Sequence, residues 1–138
     1  MLTDDIRQSL IKAAKEALKN PYPKDATVVY ASAVLTVEGN IYSSAQYFSD
    51  TYSLTLHGEQ AALAHAAAHG EGDILAIVST SNEDLEKGKF TNPCHMCKQL
   101  LWENSRRSKK DITVILVNRF DEVKEIDLKE MIAYPWPQ

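Results

Sequence analysis

Only two cysteines occur in the 138 residues, Cys94 and Cys97, so none is left for a disulfide framework and a reducing compartment is expected. No apolar run approaches the about 18 residues that would span a bilayer, and no secretory signal pattern is seen. These absences predict a cytoplasmic protein with no membrane partner. Positive charge is not in excess either: 15 Lys and Arg stand against 19 Asp and Glu, a net charge of −4. A phosphate backbone is held by clustered cations, so nucleic acid is not the expected partner. The one basic cluster, Arg106-Arg107-Ser108-Lys109-Lys110, reads as a solvated loop. There is no repeat, linker or low-complexity segment, and the length suits a single domain over residues 1–138.

What the chain does contain is two short polar pieces, His57-Gly58-Glu59 and Pro93-Cys94-His95-Met96-Cys97. In the first, an imidazole precedes a carboxylate by two residues at the head of an alanine-rich run, Gln60 to Ala68, that reads as a helix. In the second, two thiols have the spacing that lets both reach one tetrahedral ion, with a proline at a plausible first helical position. His57, Cys94 and Cys97 are three ligands where a closed structural site needs four, so one position is left to water, the mark of catalytic zinc. Glu59 stands ready as the proton carrier beside that water. Alone, Cys-x-x-Cys also serves thiol exchange and structural knuckles. Thiol exchange leaves His57 and Glu59 idle, while a non-catalytic zinc-stabilised domain that binds a small ligand stays open as the alternative to an enzyme.

Around these pieces the elements follow in order. Thr3 is an N-cap, Asp4 and Asp5 suit a first turn, and Ile6, Leu10, Ala13, Ala14, Ala17 and Leu18 form one apolar stripe that Asn20-Pro21 ends. Thr27 to Val37 reads as a buried strand, Glu38-Gly39-Asn40 as a hairpin turn, and Ile41 to Ala45 as its partner. The helix with His57 and Glu59 ends near His69-Gly70; Ile74 to Ser79 is a third strand. Ser81 to Asn92 is a charged loop, and a helix runs from about Pro93 to Asn104. Ile112 to Val117 is near-continuously apolar and is expected at the sheet's centre. Val123 to Leu128 follows after only Asn118-Arg119-Phe120-Asp121-Glu122, too short for a parallel crossover, so it should run antiparallel. A short helix, Leu128 to Ala133, precedes the aromatic tail with Tyr134 and Trp136.

His-x-Glu followed by Pro-Cys-x-x-Cys is the signature of zinc-dependent nucleobase deaminases, and the chain resembles the cytidine deaminase superfamily over nearly its whole length. Pro21-Tyr22, the Glu38-Gly39 turn and Gln99-Leu100-Leu101 belong to the likeness. It implies an α/β fold with three layers, α-β-α, around a five-stranded mixed sheet whose last strand is antiparallel. Within the superfamily, a hairpin in place of a helix before that strand resembles the free-nucleoside deaminases. The likeness makes His57, Cys94 and Cys97 the zinc ligands, Glu59 the proton shuttle, and the Cys94 backbone N–H a donor near the substrate. It also implies a homo-oligomer, of four copies or two. The expected activity is hydrolytic deamination of a free cytidine-like nucleoside or related amino-heterocycle, with zinc as the only cofactor.

The pocket departs from the family. Cytidine deaminases carry Asn-x-Glu on the second strand for the ribose hydroxyls; here Gln46 and Phe48 take those places, and Val28-x-Tyr30 stands for a Phe-x-Val. Phenylalanine accepts no hydrogen bond, and an unpartnered buried hydroxyl costs about 1–3 kcal/mol. A related aminopyrimidine is thereby favoured over cytidine itself. Blasticidin S deaminases, relatives in the same superfamily, also lack that glutamate and end in aromatics, which places Trp136 among the candidate substrate contacts. His65 and His69, four apart on one helix, are expected to be solvated, and His95 to point away from the metal. The alanines at 61, 62, 64, 66, 67 and 68 suit close packing on the sheet or between subunits.

Overall fold

The computed structural model describes residues 2–138. Residue 1 of the expected domain lies outside them. Helix α1 (Asp4–Ala17) begins where Thr3 Oγ1 accepts from the Ile6 N–H at 3.2 Å, with Asp4 and Asp5 at the positive end of the helix dipole. It stops at Ala17, three residues before Asn20. Strands β1 (Tyr30–Thr36) and β2 (Ile41–Ala45) form the expected hairpin, whose turn needs Gly39 at φ +92°. Helix α2 (Gly58–Ala68), strand β3 (Ile74–Ser81), helix α3 (His95–Ser108), strands β4 (Thr113–Val117) and β5 (Val123–Asp127) and a 3₁₀ turn (Leu128–Met131) complete the chain.

The five strands are ordered β2-β1-β3-β4-β5; β3 and β4 are parallel and every other neighbouring pair is antiparallel. The last strand is therefore antiparallel, as its short connection requires. The strand at the centre is β3. β4 is interior but one place off it, because the hairpin with β5 covers β4's outer edge.

Alternation along the strands sorts two cores. Ala33, Leu35, Ala76, Val78, Ile115 and Val117 pack with Leu10, Ile11 and Ala14 of α1. Val34, Ile77, Val114 and Leu116 pack on the other face with Ala62 and Ala66 of α2 and Leu101 of α3. This is the three-layer α-β-α arrangement.

β3 runs on to Ser81, two residues past the expected Ser79, and three other boundaries differ for local reasons. β1 starts at Tyr30 because side-chain amides occupy the backbone before it: Asn82 Oδ1 accepts from the Val29 N–H (2.7 Å) and Asn82 Nδ2 donates to Thr27 O (3.0 Å). Helix α3 runs on through Arg106, Arg107 and Ser108 to a left-handed Lys109, so the basic cluster is a last helical turn and not a loop. Its cations there suit the negative end of the dipole. The final helix is a single 3₁₀ turn, Leu128–Met131, in place of Leu128 to Ala133. None of the described helices is long and apolar enough to cross a membrane.

Candidate active site

Helices α2 and α3 begin at the same place, on the face of the sheet away from α1, and the N-cap of each is a residue that could ligate a metal, His57 and Cys94. His57 is extended (φ −67°, ψ 159°), its N–H donating to Gln60 Oε1 at 3.0 Å and its C=O accepting from Ala61 N at 2.9 Å. Cys94 is extended too (φ −70°, ψ 173°), its C=O accepting from Lys98 N at 2.9 Å. Pro93 thus lies one step outside the helix and not at its first position. Two helix N-termini converge here, and their partial positive charges favour thiolate and developing negative charge.

His57 Nδ1 lies 3.2 Å from Cys97 Sγ and 3.3 Å from Cys94 Sγ, and the two sulfurs are 3.6 Å apart. Ligands at zinc bond lengths of 2.0–2.3 Å on tetrahedral corners stand about 3.5–3.8 Å apart. The three donors nearly trace one face of such a tetrahedron, so the residues present fit a zinc ion with one corner left over. Burial pushes the Cys97 thiol up, with the Glu59 and Cys94 charges adding to it, so without a metal it holds its proton. A metal that binds there displaces it. Among the described residues this is the one group of three or more potential ligands close enough to share an ion. His95 is exposed and outside the group, in line with expectation.

Glu59, two residues after His57 in the first turn of α2, is buried, 7% exposed. Burial raises its pKa most; its own backbone N–H, the Ser79 hydroxyl and the His57 charge pull it down. Ser79 Oγ, from the central strand, donates to Glu59 Oε2 at 3.2 Å. Ser32 of β1 lies close enough to lower the same pKa slightly, yet its buried hydroxyl reaches no partner at hydrogen-bond geometry.

Gly58 makes this placement possible. A Cβ there would stand 3.0 Å from Ala31 Cα and 3.1 Å from its carbonyl carbon, so glycine lets α2 start close against β1 where a larger residue would press the Ala31 backbone back by a few tenths of an ångström. Neither Gly58 nor Ser79 stood out in the sequence as functional. The available signal for Ser79 was a hydroxyl interrupting the apolar run of β3 on the face that α2 covers.

The donors open into a cavity of about 800 Å³ lined by His57, Glu59 and Cys94 and also by Val28, Gln46 and Phe48. The chain from 46 to 48 is held as a strap: the Phe48 N–H donates to Tyr22 O (2.8 Å), and Tyr47 and Leu56 exchange backbone bonds of 2.9 Å. Period-two alternation then turns Gln46 and Phe48 inward, while Tyr47 turns out to stack on Tyr22. Gln46 is not free, since its Oε1 accepts from the Tyr30 N–H (2.5 Å) and its Nε2 donates to Val28 O (2.9 Å). Tyr30, the other end of the Val28-x-Tyr30 pair, lines the cavity too, as do Asp25, Thr91 and Asn92, which were not singled out in the sequence.

Trp136 is not brought to this cavity. Its carbonyl accepts from Gln99 Nε2 (2.7 Å), Trp102 Nε1 donates to Pro137 O (2.6 Å), and the tail lies along α3 with the Trp136 ring 76% exposed. His65 and His69 are exposed and pack their rings around Tyr42, with Nδ1 of each 3.0 Å from a backbone carbonyl oxygen, Ser43 O and His65 O.

A buried carboxylate, three convergent N/S donors and a cavity open to solvent on an α-β-α sheet define the class of a zinc-dependent hydrolase. A sequence model of the cytidine and deoxycytidylate deaminase zinc-binding region matches residues 4–112. The chain belongs to that family and is a zinc-dependent deaminase. Its fold is shared by cytidine deaminase from Burkholderia pseudomallei (24% identity, 98% of this chain and 100% of that one, TM-score 0.80). Cytidine deaminase from Mycobacterium tuberculosis is similar at 19% identity, covering 99% and 100% of the chains, with a TM-score of 0.75. That from Bacillus anthracis is similar at 22% identity, covering 95% and 89%, with a TM-score of 0.71.

Proposed function

We propose that the protein hydrolytically deaminates a free cytidine-like nucleoside or a related amino-heterocycle, and that His57, Cys94 and Cys97 hold the zinc. The observation that carries this reading is the buried Glu59 carboxylate in the cavity wall shared with His57 and Cys94. Zinc bound there supplies Lewis-acid activation of water at neutral pH. Glu59 accepts a proton from the attacking water and passes it to the ring nitrogen beside the carbon bearing the amine. It then carries the second proton to the departing nitrogen. The oxygen of water replaces that nitrogen, and ammonia leaves. Burial disfavours the charged carboxylate and so favours its taking a proton, while the Ser79 hydroxyl holds Oε2 in place.

The three solved relatives are named for cytidine, which makes cytidine the first substrate to try. Ammonia release by the zinc-loaded protein against cytidine, deoxycytidine, cytosine, blasticidin S, amino-purines and pterins tests the reading. Glu59→Gln serves as the blank: it should retain zinc and lose at least about 10³-fold in turnover. Turnover that survives that change removes Glu59 from the mechanism.

Location in the cytoplasm and assembly of identical chains belong to the same proposal. Ala64, Ala67 and Ala68 stand exposed on α2, while Ala62 and Ala66 are used against the sheet. Light scattering on the eluting protein reads the assembly directly, and a monomer would refute it.

A further inference from the structure

One polar atom in the core has no partner, and it lies under the reacting end of the cavity. Ser32 is fully buried in β1, and among the described residues its Oγ is the one buried side-chain oxygen or nitrogen that makes no hydrogen bond. An unsatisfied buried hydroxyl costs free energy that an alanine of nearly the same shape would not. An oxygen kept in that condition calls for a role.

Strand register points to the role. Ser32 pairs with Ser79 of β3 on one side and with Ser44 of β2 on the other, so the three side chains form one row on the face that α2 covers. At the β3 end, Ser79 Oγ donates to Glu59 Oε2 at 3.2 Å. At the β2 end, Ser44 Oγ is spent on its own strand, donating to Ala45 O at 2.8 Å. Ser32 stands between them, and the start of α2 comes down upon it: a Cβ at Gly58 would lie 3.2 Å from Ser32 N. Glu59 leads the buried stripe of α2, followed by Ala62 and Ala66, so its carboxylate is aimed at the row. The Ser32 hydroxyl favours the charged form of Glu59, the weakest of the influences on it.

A single hydrogen bond is a loose grip on a proton carrier. The last torsion of a glutamate side chain is broad, so one donor on Oε2 lets the carboxylate swing about that contact. Serving first the attacking water and then two nitrogens requires one oxygen held toward the cavity. A second donor, from the neighbouring strand, removes the swing.

Resting on the deaminase reading above, we propose that Ser32 is a second positioning residue for Glu59: in the zinc-loaded protein its hydroxyl donates to the sheet side of the carboxylate, beside Ser79, and leaves the cavity side to carry protons. Adjacent strands thereby grip one carboxylate from two points.

Two readouts decide it. A crystal structure of the zinc-loaded protein should show Ser32 Oγ within about 3.2 Å of a Glu59 oxygen, and a gap beyond about 3.5 Å, or a Ser32 hydroxyl bonded to another group, overturns the proposal. With an amino-heterocycle that the wild-type protein turns over, Ser32→Ala should lower kcat about tenfold and change KM by less than about twofold, at the zinc content of the wild type. Ser44→Ala, in the same row but turned to its own strand, should leave both constants unchanged. A KM that rises at constant kcat would make Ser32 a substrate contact, and a kcat that holds, or that falls as far in Ser44→Ala, would make it an ordinary core hydroxyl. Each of these results refutes the positioning role. If no amino-heterocycle releases ammonia, the deaminase reading falls on that ground, and the crystal structure still decides whether Ser32 grips Glu59.

Discussion

The two faces of the sheet differ in what they bury. Under α1, residues from β1, β3 and β4 meet Leu10, Ile11 and Ala14 in a wholly apolar core. On the opposite face Val34 and Ile77 are apolar in the same way, but Ser32 and Ser79 in those same two strands are buried hydroxyls, and the Glu59 carboxylate lies over them. Burying such groups costs free energy that an apolar contact would not. The first face holds the fold together, and the second gives up stability where the chemistry is to happen. Function and stability should therefore respond separately to changes on the two faces.

The largest effect is expected from Leu10→Ala, which empties a fully buried site under α1. About 2–5 kcal/mol of unfolding free energy should be lost. Activity per folded, zinc-loaded molecule should stay the same, and a fall in kcat at full folding would mean that the faces are coupled. Gly58→Ala comes next: its new Cβ meets the Ala31 backbone at 3.0 Å, which cannot yield as a side chain would. A loss of about 1–3 kcal/mol is expected in chemical denaturation, together with weaker zinc retention as His57 and Glu59 shift.

Ser79→Ala should change the opposite quantity. Stability should move little, while kcat falls about tenfold through the lost hydrogen bond to Glu59, with KM less affected. Equal loss in stability and no loss in kcat would make Ser79 an ordinary core hydroxyl.

The smallest effect belongs to Glu71, at the rim. Its carboxylate accepts from Tyr42 Oη, Thr36 Oγ1 (2.7 Å) and Asn40 Nδ2 (3.0 and 3.1 Å), which hold its pKa below the ordinary 4.5. A lowered carboxylate pKa stabilises the fold above the unfolded value, and that contribution is lost as pH falls through the folded one. Glu71→Gln should flatten the decline in thermal midpoint below about pH 4.5, where the unfolded carboxylate starts to protonate. Unchanged slopes would show that these bonds add nothing.

The metal end of the cavity was readable from sequence because zinc chemistry restricts both residue type and spacing. Thiols three apart on one helix turn and an imidazole two before a carboxylate have few other uses together. The substrate end was less readable. Gln46 and Phe48 could be placed in the wall by family resemblance alone, and the amide's engagement with Tyr30 and Val28 depends on where the chain before β1 runs. Trp136 was expected at the substrate by analogy, and the tail instead runs along α3, fixed by Gln99 and Trp102. Boundaries erred where side chains replaced ladder bonds, as Asn82 does before β1.

Local patterning by itself determined the order of elements, the antiparallel last strand and the candidate metal donors that the fold brings together, since each rests on periodicity, loop length or ligand chemistry within a short stretch. Only the tertiary structure decided that β3 and not β4 is central, that Gly58 lies close against Ala31, and that Ser79 donates to Glu59. Those are relations between segments distant in sequence. They are set when two helices pack on one sheet face, which no single stretch encodes.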